Sequence, residues 1–360
     1  MTGTFSGNGA SKIGKNERKE VGKMKRCFVL MLALAMLLSA ALAEETALPA
    51  YVYQGDEPMM AAICDYLLET QAGYFGEADV AIPCPVVLET DDADPEDIRV
   101  WGEFSLFNYN LLNTTLVMQS GGIAPGLLHL KAAGEDFEVV SAEWVEDGED
   151  YGAAVERIFG AREGLVRKLE NIAEASEEAM LRSVSDYVRW NGLPITQYQE
   201  FGWLPVPLIG AAETAEADQI VHLESALGYA LDYDLRAFSF ASFGEEEEGL
   251  SGVGDLEGIS LDVARYADRT AEEVVQQLAG ELAEPVTEAA QIGAEGLEAT
   301  CVRDGALRED VDRSTYVLPL ADGSCLAVSL RNTYYAMEGD QVVVGADEAL
   351  AAVLGTLRVL

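Results

Sequence analysis

The chain has 360 residues, of which 63 are Asp or Glu and 23 are Lys or Arg, so its formal net charge is −40 at pH 7. A chain this acidic repels the phosphates of nucleic acids and the surface of anionic membranes, which excludes both as partners. Hydrophobic residues make up 49% of the chain, enough apolar material for two domain cores.

The first 43 residues have the pattern of a secretory signal peptide. A short basic stretch at residues 24–26 precedes an apolar run at residues 28–42, and Ala41-Leu42-Ala43 is a small-x-small cleavage site. The polar residues before Met24 are unusual in a leader, so we expect translation to begin at Met24. A membrane anchor is the rival interpretation, but a span needs roughly 20 apolar residues and this run is shorter. We therefore expect a secreted chain with no membrane span after cleavage.

Cleavage after Ala43 would remove seven basic and two acidic residues, which leaves 317 residues, 16 of them basic and 61 acidic, and a formal charge of −45. This length indicates about two domains. A boundary is indicated where a proline-containing segment is followed by alanine- and glutamate-rich residues. The predicted division of the mature chain is a domain at residues 44–203, a linker at 204–218 and a domain at 219–360.

The first predicted domain combines a helix, a meander of strands and further helices. Asp56 is a suitable N-cap, Pro58 stands in the first turn, and apolar residues recur on one face until Gly73. Residues 98–145 alternate in parity between turn residues, which predicts four antiparallel strands with a hairpin loop at 133–136. Helices packed on such a sheet make the domain α+β. Helical periodicity predicts the later helices at residues 151–159, where Asp150 can serve as the cap, 161–171 and 176–190. Asn191-Gly192 is a suitable stop for the last of these helices.

Five segments within about residues 50–205 carry a resemblance to a known group of proteins. They are residues 102–110 (GEFSLFNYN), 120–131 (SGGIAPGLLHLK), 145–148 (VEDG), 158–160 (IFG) and 195–203 (ITQYQEFGW). Together they resemble an uncharacterised family of exported proteins from clostridia and related gut Firmicutes. The order of helix and meander is similar to the cystatin-like cone of nuclear transport factor 2-like domains. That similarity implies a cone that holds a small apolar ligand.

The second predicted domain has a different order of elements. Thr270 and Glu273 form a capping box that begins a helix, and Pro285 ends it. Asp322-Gly323 predicts a hairpin turn. Strands are predicted at residues 259–263, 288–292, 297–303, 315–320 and 325–330, and a last helix at 347–357.

The same order, with the segments at residues 270–282, 312–330 and 349–360, resembles PsbP-like α/β/α sandwich domains. That resemblance implies an accessory or binding module rather than an enzyme. The predicted fold is therefore α+β in two domains, a helix-plus-antiparallel-meander domain and a PsbP-like sandwich.

Four cysteines remain after the predicted cleavage, two in each domain. An even number in an exported protein makes disulfides possible, with three connectivities. Against pairing of Cys301 with Cys325, the strand at residues 315–320 would lie between them and hold them about 10 Å apart. Disulfides and buried free thiols both remain open. The four are Cys64, Cys84, Cys301 and Cys325.

Motifs for metal, phosphate or nucleophilic chemistry are missing from the sequence. The two histidines, His129 and His222, have no metal-ligand spacing and are interpreted as structural or partly exposed. The acidic run at residues 91–97 lacks the glycine of a calcium loop and contains Pro95, which favours a solvated loop. The glutamates at 245–248 are likewise interpreted as a solvated loop. Residues 249–255 lack a phosphate-binding spacing, so a flexible loop is predicted after these glutamates. We expect no cofactor and no metal.

Aromatic residues are the remaining candidates for a binding site. Trp101, Phe107, Tyr109 and Trp144 are predicted to line the concave face of the first sheet, and a role as core between sheet and helices is the alternative. The predicted function is a secreted, non-enzymatic, monomeric protein that binds an unknown small molecule or protein. The alternative is a hydrolase or isomerase that uses Glu103 as a general base, because Glu103 shares strand parity with Trp101 and Phe107.

The leader makes a direct prediction about the exported protein. Its N-terminus, read by N-terminal sequencing of protein collected outside its host, should be Glu44, because the small-x-small site ends at Ala43. A first residue well upstream of Glu44 would contradict cleavage at this site.

Overall fold

The computed structural model describes residues 47–305, 312–332 and 346–360. The predicted leader and the proposed start at Met24 lie outside these residues. All the elements described belong to one compact unit, Pro49–Leu360.

The first sheet is built on one long strand, β2, which pairs antiparallel with β1 along one edge. Its other edge is divided, so that residues 98–103 pair with β4 and residues 106–112 pair with β3. β5 extends the β4 side, while β6 joins β3 in parallel and pairs with β7. The strands are β1 (Val80–Asp91), β2 (Ile98–Leu112), β3 (Thr115–Gly122), β4 (Pro125–Ala133), β5 (Asp136–Trp144), β6 (Gln197–Gln199) and β7 (Val206–Pro207).

Four helices accompany this sheet. The first begins at a proline, whose missing N–H costs nothing at that position, and buries Ile63 and Leu67 against side chains of β2 and β4. The last ends at Gly192, whose φ of 60° is the left-handed conformation that a helix C-cap favours. The helices are α1 (Pro58–Gln71), α2 (Tyr151–Phe159), α3 (Leu165–Glu170) and α4 (Ala173–Asn191).

The rest of the described chain forms a seven-stranded antiparallel sheet and a three-stranded one. The seven-stranded order is β10-β11-β12-β16-β15-β14-β13, and the smaller order is β17-β9-β8. The strands are β8 (Ile220–Ser225), β9 (Tyr229–Asp234), β10 (Phe238–Ser242), β11 (Glu247–Gly252), β12 (Ile259–Tyr266), β13 (Pro285–Ile292), β14 (Leu297–Asp304), β15 (Asp312–Pro319), β16 (Cys325–Asn332) and β17 (Arg358–Val359). The helices are α5 (Ala271–Gly280) and α6 (Ala346–Leu354).

The α+β class is confirmed, and several local predictions hold. The meander of β2 to β5 has the predicted hairpin at residues 133–136, where Gly134 has a φ of 76°. The capping box is complete, since Thr270 Oγ1 accepts from the Glu273 N–H and Glu273 Oε2 accepts from the Thr270 N–H. β15 lies between β14 and β16, which separates Cys301 from Cys325 as predicted. All four cysteines are buried free thiols.

Two local predictions are wrong. Residues 249–252 are not a flexible loop but the end of β11, because Leu250 pairs with Leu261 and is only 2% exposed. Glu248, predicted in a solvated loop, lies on the same strand and accepts hydrogen bonds from Ser225 Oγ at 2.5 Å and Tyr229 Oη at 2.9 Å. Pairing with an apolar residue of the next strand outweighs the local glycine signal.

Two predicted helix boundaries move by a few residues, and a third is confirmed. The N-cap of α1 is Glu57 rather than Asp56, and its side chain makes no cap hydrogen bond. Asp150 does stand at the N-cap of α2, again without a side-chain bond. The helix predicted at residues 161–171 is the shorter α3, because Gly164 just before it has a φ of 77°.

Residues 113–114 and 196–220 connect the first sheet to β8 and β9. Asn113, at a φ of 53° in the turn between β2 and β3, donates from Nδ2 to the carbonyl oxygens of Asp218 at 3.2 Å and Ile220 at 2.7 Å. Gln199 Nε2 donates to the carbonyl oxygen of Leu235 at 2.9 Å. The segment at 204–218 contributes β7 to the first sheet. These bonds hold the start of β8 and the end of β9 beside the first sheet.

Candidate functional site

A cavity of about 300 Å³ lies between the first half of α4 and the first sheet. Its wall combines side chains of β1 and β2, the turn between β3 and β4, the first two turns of α4, and the residue after β6. Polar and apolar groups both face it. The side chains on which the chemistry depends are Glu103, Phe107, Ile123, Ser176, Met180 and Glu200.

Two periodicities bring these side chains together. Alternate residues of a strand share a face, so Glu103, Ser105 and Phe107 of β2 all reach the cavity. Residues three or four apart share a face of a helix, which brings Ser176 and Met180 of α4 to the same wall. The cavity therefore forms where a polar stretch of β2 meets the start of α4.

Glu103 is the most unusual group in the cavity wall, because its side chain is a carboxylate yet only 5% exposed. Its Oε1 accepts a hydrogen bond from Ser176 Oγ at 2.6 Å and a longer one from Ser105 Oγ at 3.5 Å. Within residues 47–305, 312–332 and 346–360, no hydrogen bond reaches Oε2, and no Lys, Arg or His lies within 4 Å of the carboxylate. The second carboxylate oxygen, Oε2, is thus available to accept a hydrogen bond from a group in the cavity.

Two further carboxylates lie on the cavity wall. Glu200, half-buried after β6, has a pKa raised by burial and further by the negative charge of Glu177. Glu177 is exposed on α4, one residue after Ser176. Because like charges disfavour ionisation of their neighbours, the charge of Glu177 adds to the effect of burial on the pKa of Glu200.

A cysteine thiol lines the cavity opposite the helix. Cys84 of β1 is buried and pairs across the sheet with Ser105. Burial raises the pKa of the Cys84 thiol, so the thiol stays protonated at neutral pH and acts as a small apolar group. It adds no negative charge to the site.

The structure places the four predicted aromatic residues in different surroundings. Phe107 lines the cavity, and Tyr109 is fully buried on the same strand. Trp101 packs against α2 and α3, with Nε1 donating to the Ile158 carbonyl oxygen at 3.0 Å. Trp144 is half-buried and meets Phe104 edge to face, with ring centroids 6.0 Å apart. The binding role of these residues stays a prediction, and Phe107 is the one in contact with the cavity.

Sequence reasoning missed the contributions of α4 and β6 to the site. Ser176 and Met180 were interpreted only as part of an amphipathic helix, and Glu200 lies in a segment without a local chemical pattern. A signal did exist in β2, where Glu103 interrupts a nearly continuous run of buried residues. A charged residue in such a strand needs a partner or a cavity.

Neither histidine lies at the cavity. His129 Nδ1 lies 2.6 Å from an Asp97 carboxylate oxygen, and its Nε2 lies 3.4 Å from one of Glu143. His222 Nδ1 lies 2.5 Å from an Asp232 oxygen, and that hydrogen bond raises the pKa of His222. In the part of the chain that the structure describes, no group of three or more His, Cys, Asp or Glu side chains could hold a metal ion.

Comparisons with known proteins assign no function to this chain, so the interpretation of the site rests on its geometry. A scan against protein-family models finds no model that matches this chain, and a search of curated proteins finds no match. Among the described residues, no helix has both the length and the apolar character needed to cross a membrane.

Trp101 makes a prediction about stability. Trp101→Ala should lower the free energy of unfolding by about 3–5 kcal/mol, because it removes a buried ring from the contact with α2 and α3. Urea unfolding followed by circular dichroism measures the change. Trp203→Ala is the matched control, since Trp203 is 69% exposed and its loss should change stability by less than about 0.5 kcal/mol. Equal effects of the two substitutions would contradict this placement of Trp101.

The negative cavity wall makes a second prediction. Glu177→Gln should lower the pKa of Glu200, because removing a like charge makes ionisation of Glu200 less unfavourable. A pH titration of the glutamate carboxyl carbons by NMR measures this pKa. Glu178→Gln is the control, because Glu178 is exposed and its carboxylate lies 2.5 Å from Arg182. An unchanged pKa for Glu200 in the Glu177 variant would show that the two carboxylates do not interact.

Proposed function

We propose that this chain is a secreted, non-enzymatic binding protein that holds a small molecule in the cavity between β2 and α4. The observation that carries the proposal is the buried carboxylate of Glu103, with one oxygen facing a cavity of about 300 Å³. Buried charges in proteins are paired or bind something, and this one has only hydroxyl partners among the described residues.

The size of the cavity limits the ligand. Small-molecule sites occupy about 300–1,000 Å³, so this cavity is at the lower end of that range. Phe107, Met180 and Ile123 supply apolar wall, and Ile123 is 63% exposed near the opening. Ligand sites usually combine apolar side chains, which supply contact area, with polar groups that orient the ligand, and this wall contains both kinds. A compact ligand with one polar group fits this description, whereas a peptide is too large.

The proposal that this chain is secreted rests on the predicted leader. The acidic composition of the remaining chain is consistent with it. A cleaved signal peptide would leave a strongly acidic protein with only two lysines, Lys131 and Lys168. Such a chain is soluble and has no attraction for anionic surfaces. We propose that it meets its ligand outside the cytoplasm and acts as a monomer.

An enzyme is the second candidate, and one observation favours it. The raised pKa of Glu200 in a partly apolar cavity is a property that general acids and bases share. Against catalysis, Ser176 donates to a carboxylate rather than to a histidine, and both histidines lie elsewhere. A ligand recovered unchanged after long incubation with the protein supports binding, and a converted ligand supports catalysis.

The binding function is tested with three probes of one shape and different charge: phenethylammonium, 2-phenylethanol and phenylacetate. At about nine or ten heavy atoms, a probe that fits should bind with a Kd of about 1 mM or tighter. Saturation-transfer NMR detects such binding. Ala173→Trp should abolish it, because residue 173 is on the cavity wall at the first turn of α4 and a large side chain there fills the space.

Ala175→Trp is the matched control. Residue 175 is exposed in the same helical turn and is not on the cavity wall, so its substitution should leave binding unchanged. Failure of all three probes to bind, or equal binding by the Ala173 and Ala175 variants, would overturn the proposed site.

A further inference from the structure

We infer that the ligand of this cavity is an organic cation, an ammonium group on a short apolar body. The inference rests on the proposed binding function and names the class of ligand for the same cavity. It depends on the charges of the wall, the open oxygen of Glu103 and the apolar side chains beside it.

The wall of the cavity carries negative groups without positive ones. Glu103, Glu177 and Glu200 face the cavity, and no Lys, Arg or His is among its described lining residues. Arg162 lies over the Trp101 ring, 4.5 Å from its centre, and pairs with carboxylates of β1. A positive ligand would neutralise this wall, and an anion would be repelled by it.

Glu103 supplies a specific acceptor for an ammonium group. Ser176 and Ser105 both donate to Oε1, which fixes the carboxylate and leaves Oε2 without a donor among the described residues. An ammonium N–H pointing at Oε2 would form a charge-assisted hydrogen bond, which is stronger than a neutral one.

An anion is the main competing occupant, because a helix N-terminus favours negative charge and α4 begins beside the cavity. Glu103 already occupies this place, since Ser176 in the first turn of α4 donates to it at 2.6 Å. A second negative group would have to approach three carboxylates. A metal ion fits less well, since no metal-holding group of three or more ligands exists in the described chain.

The remaining wall suits the apolar part of an amine. Phe107, Met180 and Ile123 offer an aromatic ring, a flexible thioether and a branched alkyl group within the same cavity. An aromatic ring also attracts a nearby cation through its electron-rich face. A ligand with an ammonium at one end and a phenyl or short alkyl group at the other would satisfy both halves of the cavity.

Acid should weaken this binding. Glu200 has a raised pKa, so it loses its charge at a higher pH than an ordinary glutamate does. The other titratable groups around it are Glu177 of α4, Cys84 of β1, Tyr109 of β2 and Tyr198 of β6, and none of these becomes positive on protonation. Affinity for a cation should therefore fall as the pH drops through the pKa of Glu200, while affinity for a neutral probe stays constant.

The test compares the affinities of the three probes by titration of the full mature chain at pH 7. Phenethylammonium should bind at least tenfold more tightly than 2-phenylethanol, and phenylacetate should bind most weakly. Glu103→Gln should reduce the affinity for the ammonium at least tenfold and leave that for the alcohol unchanged. Glutamine keeps the size of the side chain and an oxygen that accepts from Ser176.

Two more variants show whether a loss of affinity is caused by the lost charge or by a change in folding. Glu177→Gln changes an exposed side chain, so folding is unaffected, and the affinity for the ammonium should fall two- to fivefold. Glu178→Gln removes a charge of the same helix outside the cavity and should change neither affinity.

The outcomes separate this inference from the proposed function. If the alcohol binds as tightly as the ammonium, or if Glu103→Gln changes both affinities equally, the cavity binds ligands but does not select cations. If no probe binds, or Ala173→Trp leaves binding intact, both the site and its ligand class are overturned.

Discussion

The pairing of β2 determines the arrangement of the first sheet and of the candidate site. Because β1 pairs with one edge and β4 and β3 share the other, residues 99–103 and 106–109 of this strand have a strand partner on both sides. Its even-numbered side chains, such as Phe104 and Leu106, pack in a core with α1. Its odd-numbered side chains contact α2 and α3 through Trp101 or line the cavity through Glu103 and Phe107. A shift of one residue in register would exchange the two faces, so the core and the site depend on the same register.

The scarcity of positive side chains gives the site its electrostatic character. Arginines of the first sheet and its helices pair with acidic residues near the surface, as Arg162 does with Glu89 and Asp91 and Arg157 with Glu143. None of these pairs extends to the cavity wall. Acidic residues far outnumber basic ones in this chain. The carboxylates of the cavity wall therefore have no basic side chain beside them as a counter-charge among the described lining residues.

Periodicity and turn chemistry predicted much of the fold, and contacts between elements explain what they missed. The strands of the meander, the capping box at Thr270 and the stop at Gly192 all depend on local patterns, so the sequence contains them directly. The sequence did not predict β11, because its glycines indicate a loop. In the structure this segment is a strand, because Leu250 pairs with Leu261 of β12. In the site, the parity of β2 placed Glu103 and Phe107 together. The contributions of Ser176 and Glu200 could not be foreseen, because their distance from Glu103 depends on how α4 and β6 pack.

The presence of a glutamate at position 103 is not explained by the fold. Its neighbours on β2 are buried apolar or small polar groups, and either type would satisfy a strand at this place. Burying a carboxylate costs free energy that hydroxyl partners compensate only in part. Ser176 Oγ is closer to Glu103, at 2.6 Å, than to the Ile172 carbonyl oxygen, at 3.2 Å, so its single proton serves the carboxylate rather than its own helix. A bound cation would give both side chains a physical reason to be there: Ser176 orients the carboxylate, and the ligand neutralises it.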